Sequence, residues 1–246
     1  MIRKAKGFLI KRVNFRETSV IVTFFTQECG KIKGIIKGVR KDPGKIGSNL
    51  NLCSYNDIVF YEKRNTDLNL ISQCDLIKDY SFIRKDMRMV ALASYIAELA
   101  DTVMPIAETN THVFQLMQNC LDSLETLDIE KILYCFQVKI LSLSGFKPHL
   151  DACIHCSKKL HGAAYFSISL GGLLCPHCRD RDEYSNSILK GTVNSLIHLE
   201  ACSWHKALTM GLHKTIRLEL RSILYNFLSF HLDKEMKSFR FLYNPA

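Results

Sequence analysis

Two cysteine pairs carry the clearest chemistry in this chain: Cys153-Ile-His-Cys156 and, eighteen residues further on, Cys175-Pro-His-Cys178. Two thiols separated by two residues form a metal knuckle, and two knuckles complete a tetrahedral four-sulfur shell. Zinc holds thiolates at about 2.3 Å, and four protein ligands leave no open position for a substrate, so the expected ion is one structural zinc. Such an ion contributes on the order of 10–16 kcal/mol to the folding of a segment with little core of its own. A redox reading of C-x-x-C fits less well, because a second copy follows and no βαβ pattern surrounds either pair. His155 and His177, inside the knuckles, are expected to face solvent. Four thiolates on one dication leave a local charge of about −2, which Lys158, Lys159, Arg179 and Arg181 are placed to offset.

No catalytic constellation accompanies these ligands. The sequence lacks a Walker loop, G-x-S-x-G and H-E-x-x-H, and it has no dense carboxylate cluster. Gly34, Gly38, Gly44 and Gly47 lie among lysines but match no nucleotide-binding spacing, and they read as bulges and turns. His198, His205 and His213 fall on helical stretches without ligand spacing. The other six cysteines (Cys29, Cys53, Cys74, Cys120, Cys135 and Cys202) show no paired spacing; scattered thiols beside a metal site point to a reducing compartment. The charged opening Met1-Ile-Arg-Lys-Ala-Lys is unlike a signal peptide, and no run of about 18 apolar residues suggests a transmembrane helix.

Charge narrows the function further. The net charge of +9 is concentrated: residues 1–64 hold 14 Lys and Arg against 5 Asp and Glu, whereas residues 65–246 hold 19 of each. A basic segment on a neutral remainder suggests a polyanion-binding module attached to an uncharged scaffold.

The elements that must position these groups follow from periodicity. Residues 2–13 and 18–26 read as strands joined by a turn at Asn14-Phe-Arg-Glu17, and the run from Lys31 to Lys41 starts as a third. Period-2 geometry places Lys31, Lys33 and Lys37 on one face of it. Residues 42–49 read as a loop, and Tyr55–Lys63 and Leu68–Ile77 as two further strands around a turn at Arg64–Asp67. Five short strands fit a small closed barrel, with an OB-fold as the obvious candidate, although periodicity does not separate it from an SH3-like barrel. After Tyr80 the period becomes helical: a stripe from Met87 to Val103 stops at Pro105, and a helix capped by Thr109 or Thr111 follows. Next comes a central apolar helix from Asp128 to Gly145, and two more helices over Thr192–Cys202 and Leu212–Leu232 follow the cysteines. The expected class is α+β: an OB domain over residues 1–79, then a helical domain over 80–246 interrupted by a zinc-binding insertion at 150–184.

With these stretches in place, the chain resembles the bacterial RecO recombination mediator family over nearly its whole length. The resemblance is carried by Glu17-Thr-Ser-Val-Ile-Val-Thr-Phe-Phe-Thr26, Gly30-Lys-Ile32 and Lys37-Gly-Val-Arg40. It continues in Ser144-Gly-Phe-Lys-Pro148, Phe166-Ser167, Gly171-Gly-Leu-Leu-Cys175 and the closing Lys237-Ser238. It implies a non-enzymatic role in the bacterial cytoplasm, associated with the nucleoid. That role is to bind single- and double-stranded DNA, anneal complementary strands and help a recombinase of the RecA type replace single-strand binding protein. RecR and the acidic C-terminal tail of single-strand binding protein are the implied partners. The DNA surface would be the barrel face with Lys31, Lys33, Lys37, Arg40 and Lys41, and Lys45 on the adjoining loop, with Phe24, Phe25 or Tyr55 as base-stacking candidates. Two departures from the family pattern stand out. Asp42-Pro43-Gly44 follow Arg40 where more basic residues are usual, and the central helix reads Tyr134-Cys-Phe-Gln137 where some members place arginine before Phe-Glu. Lys131 and Lys139 are then the substitute partners for the tail. Two other classes compete: an OB and zinc-ribbon protein acting on RNA or the ribosome, and an adaptor whose lysines grip acidic proteins.

Overall fold

The computed structural model describes residues 1–42, 50–63, 66–125, 128–160 and 162–243. They pack into two compact units, residues 1–121 with 236–246 and residues 122–235. The boundary expected after residue 79 marks the change from strand to helix; packing instead groups the next helices and the chain end with the barrel.

Five strands open the first unit: β1 (Ile2–Phe15), β2 (Ser19–Thr26), β3 (Gly30–Ile36), β4 (Tyr55–Tyr61) and β5 (Leu68–Lys78). They close in the order β1-β2-β3-β5-β4, with β3 and β5 parallel and every other pair antiparallel. This barrel has OB topology, which resolves the choice that periodicity left open. Alternation sends Leu9, Val22, Phe24, Ile32, Ile58 and Ile71 into its core. Gly34 is required where β3 crosses that core, since a Cβ there would lie 2.6 Å from the Ile71 side chain. A bulge at Ile10 separates the pairs Leu9↔Phe24 and Lys11↔Thr23. The extra residue re-aims the rest of β1, so Lys11 points out of the barrel instead of into it.

Helix α1 (Met87–Val103) starts at Asp86, whose side chain accepts from the Arg88 N–H, and it ends just before Pro105. The next helix, α2 (Thr111–Ser123), is capped by neither expected threonine: Asn110 Oδ1 accepts from the Val113 N–H at 3.0 Å. Between them the chain runs beside the start of β3, where Ile106 bridges Lys31 and the Ala107 N–H donates to the Lys31 carbonyl at 3.0 Å. Gly30, at φ +65, allows this approach, since a Cβ would stand 2.1 Å from the Glu108 carbonyl oxygen.

The second unit is built around α3 (Ile129–Leu143), buried over nearly all its girth from Ile132 to Leu141. Its cap is Asp128, as the sequence predicts, and Arg217 clasps both Asp128 (2.5 Å) and Glu130 (2.9 Å). The cysteine segment follows, with strands β6 (Ala164–Ser167), β7 (Gly172–Leu174) and β8 (Asn186–Ile188) in the order β7-β6-β8. Helices α4 (Lys190–Ala201), α5 (Trp204–Leu208) and α6 (Lys214–His231) then pack on α3. Residues 236–243 return to the first unit and end in α7 (Phe239–Tyr243), which packs on α1. The Glu98 carboxylate of α1 accepts from the Lys237 N–H (3.2 Å), the Ser238 N–H (3.0 Å) and the Ser238 hydroxyl (2.5 Å). The rings of Tyr95 and Phe239 lie 5.6 Å apart.

Candidate metal centre and basic barrel face

The Sγ atoms of Cys153, Cys156, Cys175 and Cys178 all lie within 4.8 Å of one another. A metal–thiolate bond of about 2.3 Å sets tetrahedral sulfurs about 3.8 Å apart, and Cys156 and Cys175 stand 3.8 Å apart. The four residues therefore fit one zinc-sized ion. Backbone geometry prepares them: the Ile154 N–H donates to Leu173 O at 2.8 Å, tying the first knuckle to β7, and Ser157 turns the chain at φ +58. Asp182 accepts from Ser167 (2.5 Å), Ser169 (2.9 Å) and the Tyr184 N–H (2.9 Å), pinning the β6–β7 hairpin to the second knuckle.

Charge explains what the sulfurs lack. Burial opposes ionisation of Cys153, but N–H groups of Cys156, Cys175 and His155 hold its pKa down to about 6. Cys178 is pushed up to about 12 by burial and by the sulfurs of Cys175, Cys156 and Cys153. A bound cation removes this conflict by stabilising all four thiolates together. His155 and His177 are exposed as expected, with His155 Nδ1 3.6 Å from the Cys178 sulfur. The proposed charge offset is weaker than expected, because Asp151, Asp180, Asp182 and Glu183 match the segment's four cations. Arg179 lies over the Tyr165 ring, 5.0 Å from its centroid. Elsewhere, burial pushes the thiols of Cys53, Cys74 and Cys135 up to about 12, which makes them inert core groups.

The basic residues are arranged differently from the expected stripe. Lys33 is exposed on β3; Lys37, Arg40 and Lys41 are also exposed but follow the strand, which ends at Ile36. Arg40 folds back on the β1–β2 turn, where its N–H donates to Thr18 O (3.1 Å) and its guanidinium to Arg16 O (3.0 Å). Lys45 lies outside the described residues. Lys31 is drawn inward: its ammonium donates to the Asp101 carbonyl at 2.6 Å and carboxylate at 3.0 Å, and its side chain is only 11% exposed. Sequence reasoning missed Lys11, which the Ile10 bulge sets in one row with Thr23 and Lys33. Neither Phe24 nor Phe25 is available for stacking: Phe24 is barrel core, and Phe25 packs against Phe114, ring centroids 5.7 Å apart. Tyr55 is half-buried on Phe8 at 4.9 Å.

In the second unit, Lys139 donates to the carbonyls of Glu200 (3.2 Å) and Cys202 (2.6 Å), and Lys131 donates to that of Leu208 (3.4 Å). These carbonyls end α4 and α5, so both lysines act as C-terminal helix caps. Among the described residues no helix is long and apolar enough to cross a membrane.

An OB barrel followed by helices, with a four-cysteine centre able to enclose one metal ion, defines the class. Models of "Recombination protein O N terminal" and "Recombination protein O C terminal" match residues 1–80 and 84–240. The chain belongs to the RecO family. It is similar to the DNA repair protein RecO of Desulfatibacillum aliphaticivorans, 32% identical over 241 residues covering 95% of this chain and 93% of that one. The protein of the same name from Moorella thermoacetica is 28% identical over 241 residues, covering 97% of this chain and 90% of its own. That of Bacillus pumilus is 28% identical over 243 residues, covering 98% and 94%.

Proposed function

We propose that this chain is a non-enzymatic mediator of recombinational DNA repair in the bacterial cytoplasm. In this reading it binds single- and double-stranded DNA, anneals complementary strands and helps load a RecA-type recombinase onto DNA covered by single-strand binding protein. Beside family membership, one observation carries it: Lys33, Lys37, Arg40 and Lys41 stand exposed on the outer face and rim of an OB barrel. Ammonium and guanidinium groups neutralise phosphates and release counterions, which gives affinity without sequence choice. Lys45 stays in the proposed set by its place in the sequence, while Lys31 serves by anchoring Asp101. Annealing follows if this surface screens two like-charged strands while leaving their base edges free. The ion proposed at Cys153, Cys156, Cys175 and Cys178 is zinc, whose chemistry there is structural cross-linking.

RecR and the acidic tail of single-strand binding protein are the proposed protein partners. For the tail, Lys131 and Lys139 remain the candidates: each is half-buried, and an ammonium group carries three donors.

The test is DNA affinity against salt for the pair Lys37→Ala and Arg40→Ala. About four phosphate contacts on a single strand give a slope near −3 in log affinity against log salt. The double variant should bind all sequences more weakly, with the slope flattened by about 1–2 and an unchanged melting temperature. Unaltered affinity and slope would move the DNA site off this face.

A further inference from the structure

Beside the phosphate rim, the outer face of β1–β3 and the end of α1 enclose a cleft of about 400 Å³. Its chemistry exceeds what phosphate binding needs. Lys11 and Lys33 flank Thr23 in one row across three strands, and Val13 and Ile21 pair in the next accessible row. Val13 is 48% exposed and Ile106, on the opposite side, 49% exposed. Asp101 completes the lining. Its Oδ1 accepts from Lys31 at 3.0 Å, while Oδ2 stands 3.8 Å from Lys11, whose side chain is 60% exposed.

We propose that this cleft takes one unstacked nucleobase of a single strand, with the flanking phosphates on Lys11 and Lys33 and the Asp101 carboxylate accepting from the base's N–H edge. The proposal rests on the reading that DNA crosses the barrel. Aliphatic walls between two cations match a flat apolar ring carried on an anionic backbone. The volume is at the small end of ligand pockets, about 300–1,000 Å³, which suits one base. A duplex does not fill it, because its paired bases are stacked on both faces and entering the cleft would cost their unstacking and unpairing. An acidic peptide would meet Asp101 as a like charge, whereas a base brings donors to it. A carboxylate offers about four acceptor sites, so its contact with Lys31 leaves others available.

Cytosine presents an amino group to such an acceptor, whereas the N3–H of thymine is flanked by two carbonyl oxygens that repel it. The cleft therefore prefers cytosine to thymine and single strands to duplex. The experiment is fluorescence anisotropy at matched salt with short homopolymers of cytidine and thymidine and a hairpin duplex. Ile106→Gln keeps the charge and removes an apolar wall at an exposed position, so it should weaken single-strand binding by roughly fivefold and leave the duplex unchanged. Asp101→Asn, which can donate as well as accept, should abolish the preference for cytidine over thymidine.

Equal effects of Ile106→Gln on single strand and duplex, no effect on either, or a cytidine preference that survives Asp101→Asn would overturn the cleft. The reading as a DNA-binding protein would still stand if the Lys37→Ala, Arg40→Ala variant lost affinity for both forms. Wild-type protein that binds neither form would end both readings.

Discussion

Lys139 shows what a single residue can hide. Its place on an apolar helix marks it as a cation near a partner groove, but its acceptors lie 61 and 63 positions away, at the end of α4. No local pattern reports such a contact, whereas Asp128 is legible as a cap because its acceptor role is local. Lys139→Ala leaves two carbonyls without this donor and should cost about 1 kcal/mol, a fall of roughly 2–4 °C in melting temperature. Lys131→Ala should cost less, since its single contact is 3.4 Å long. Scanning fluorimetry checks both, and an unmoved Lys139→Ala midpoint would show that the cap contributes nothing. Lys31 and Lys11 exchange roles for similar reasons. Period 2 puts Lys31 on the outer face correctly, but the Asp101 that captures it is 70 residues away. Lys11 depends on a bulge that the continuous apolar run Phe8-Leu-Ile10 conceals.

At the scale of elements, long periodic segments were readable and short ones were not. All five barrel strands and the helix over Met87–Val103 follow from alternation and 3.6-residue stripes. The choice between OB and SH3-like topology was not readable, because it depends on β3 meeting β5 in parallel across more than thirty residues. β6, β7 and β8 are three or four residues each, too short for a period, and α5 and α7 have five residues each. The cysteine segment surrounds its knuckles with a small core around Leu174, beside the contact of Phe166 in β6 with Phe227 of α6. Its order should therefore depend on the ion. Cys153→Ser should lower bound metal from a single equivalent and open residues 150–184 to protease, while the DNA affinity proposed for the barrel stays unchanged. Metal analysis and limited proteolysis are the readouts; a variant that keeps both its metal and its resistance would show that the centre is not structural.

For the whole molecule, the change of period near Tyr80 locates a boundary in secondary structure, yet compactness follows a different line. The first unit takes in α1, most of α2 and a segment from the far end of the chain. Only tertiary contact reveals this: Lys237-Ser238 reads as a bare signature until Glu98 is seen accepting three hydrogen bonds from it. Glu98→Ala should cost about 1–3 kcal/mol and speed amide exchange in both α1 and residues 236–243. Exchange unchanged in both segments would remove the clamp from the account. The same contact sets an order of events during synthesis. The segment that covers α1 around Glu98 and Tyr95 leaves the ribosome only after the second unit has been made. Translating residues 122–235 at about 5–20 residues per second keeps that surface uncovered for roughly 6–23 s. The nascent barrel unit must wait out that interval before its last residues can seal it.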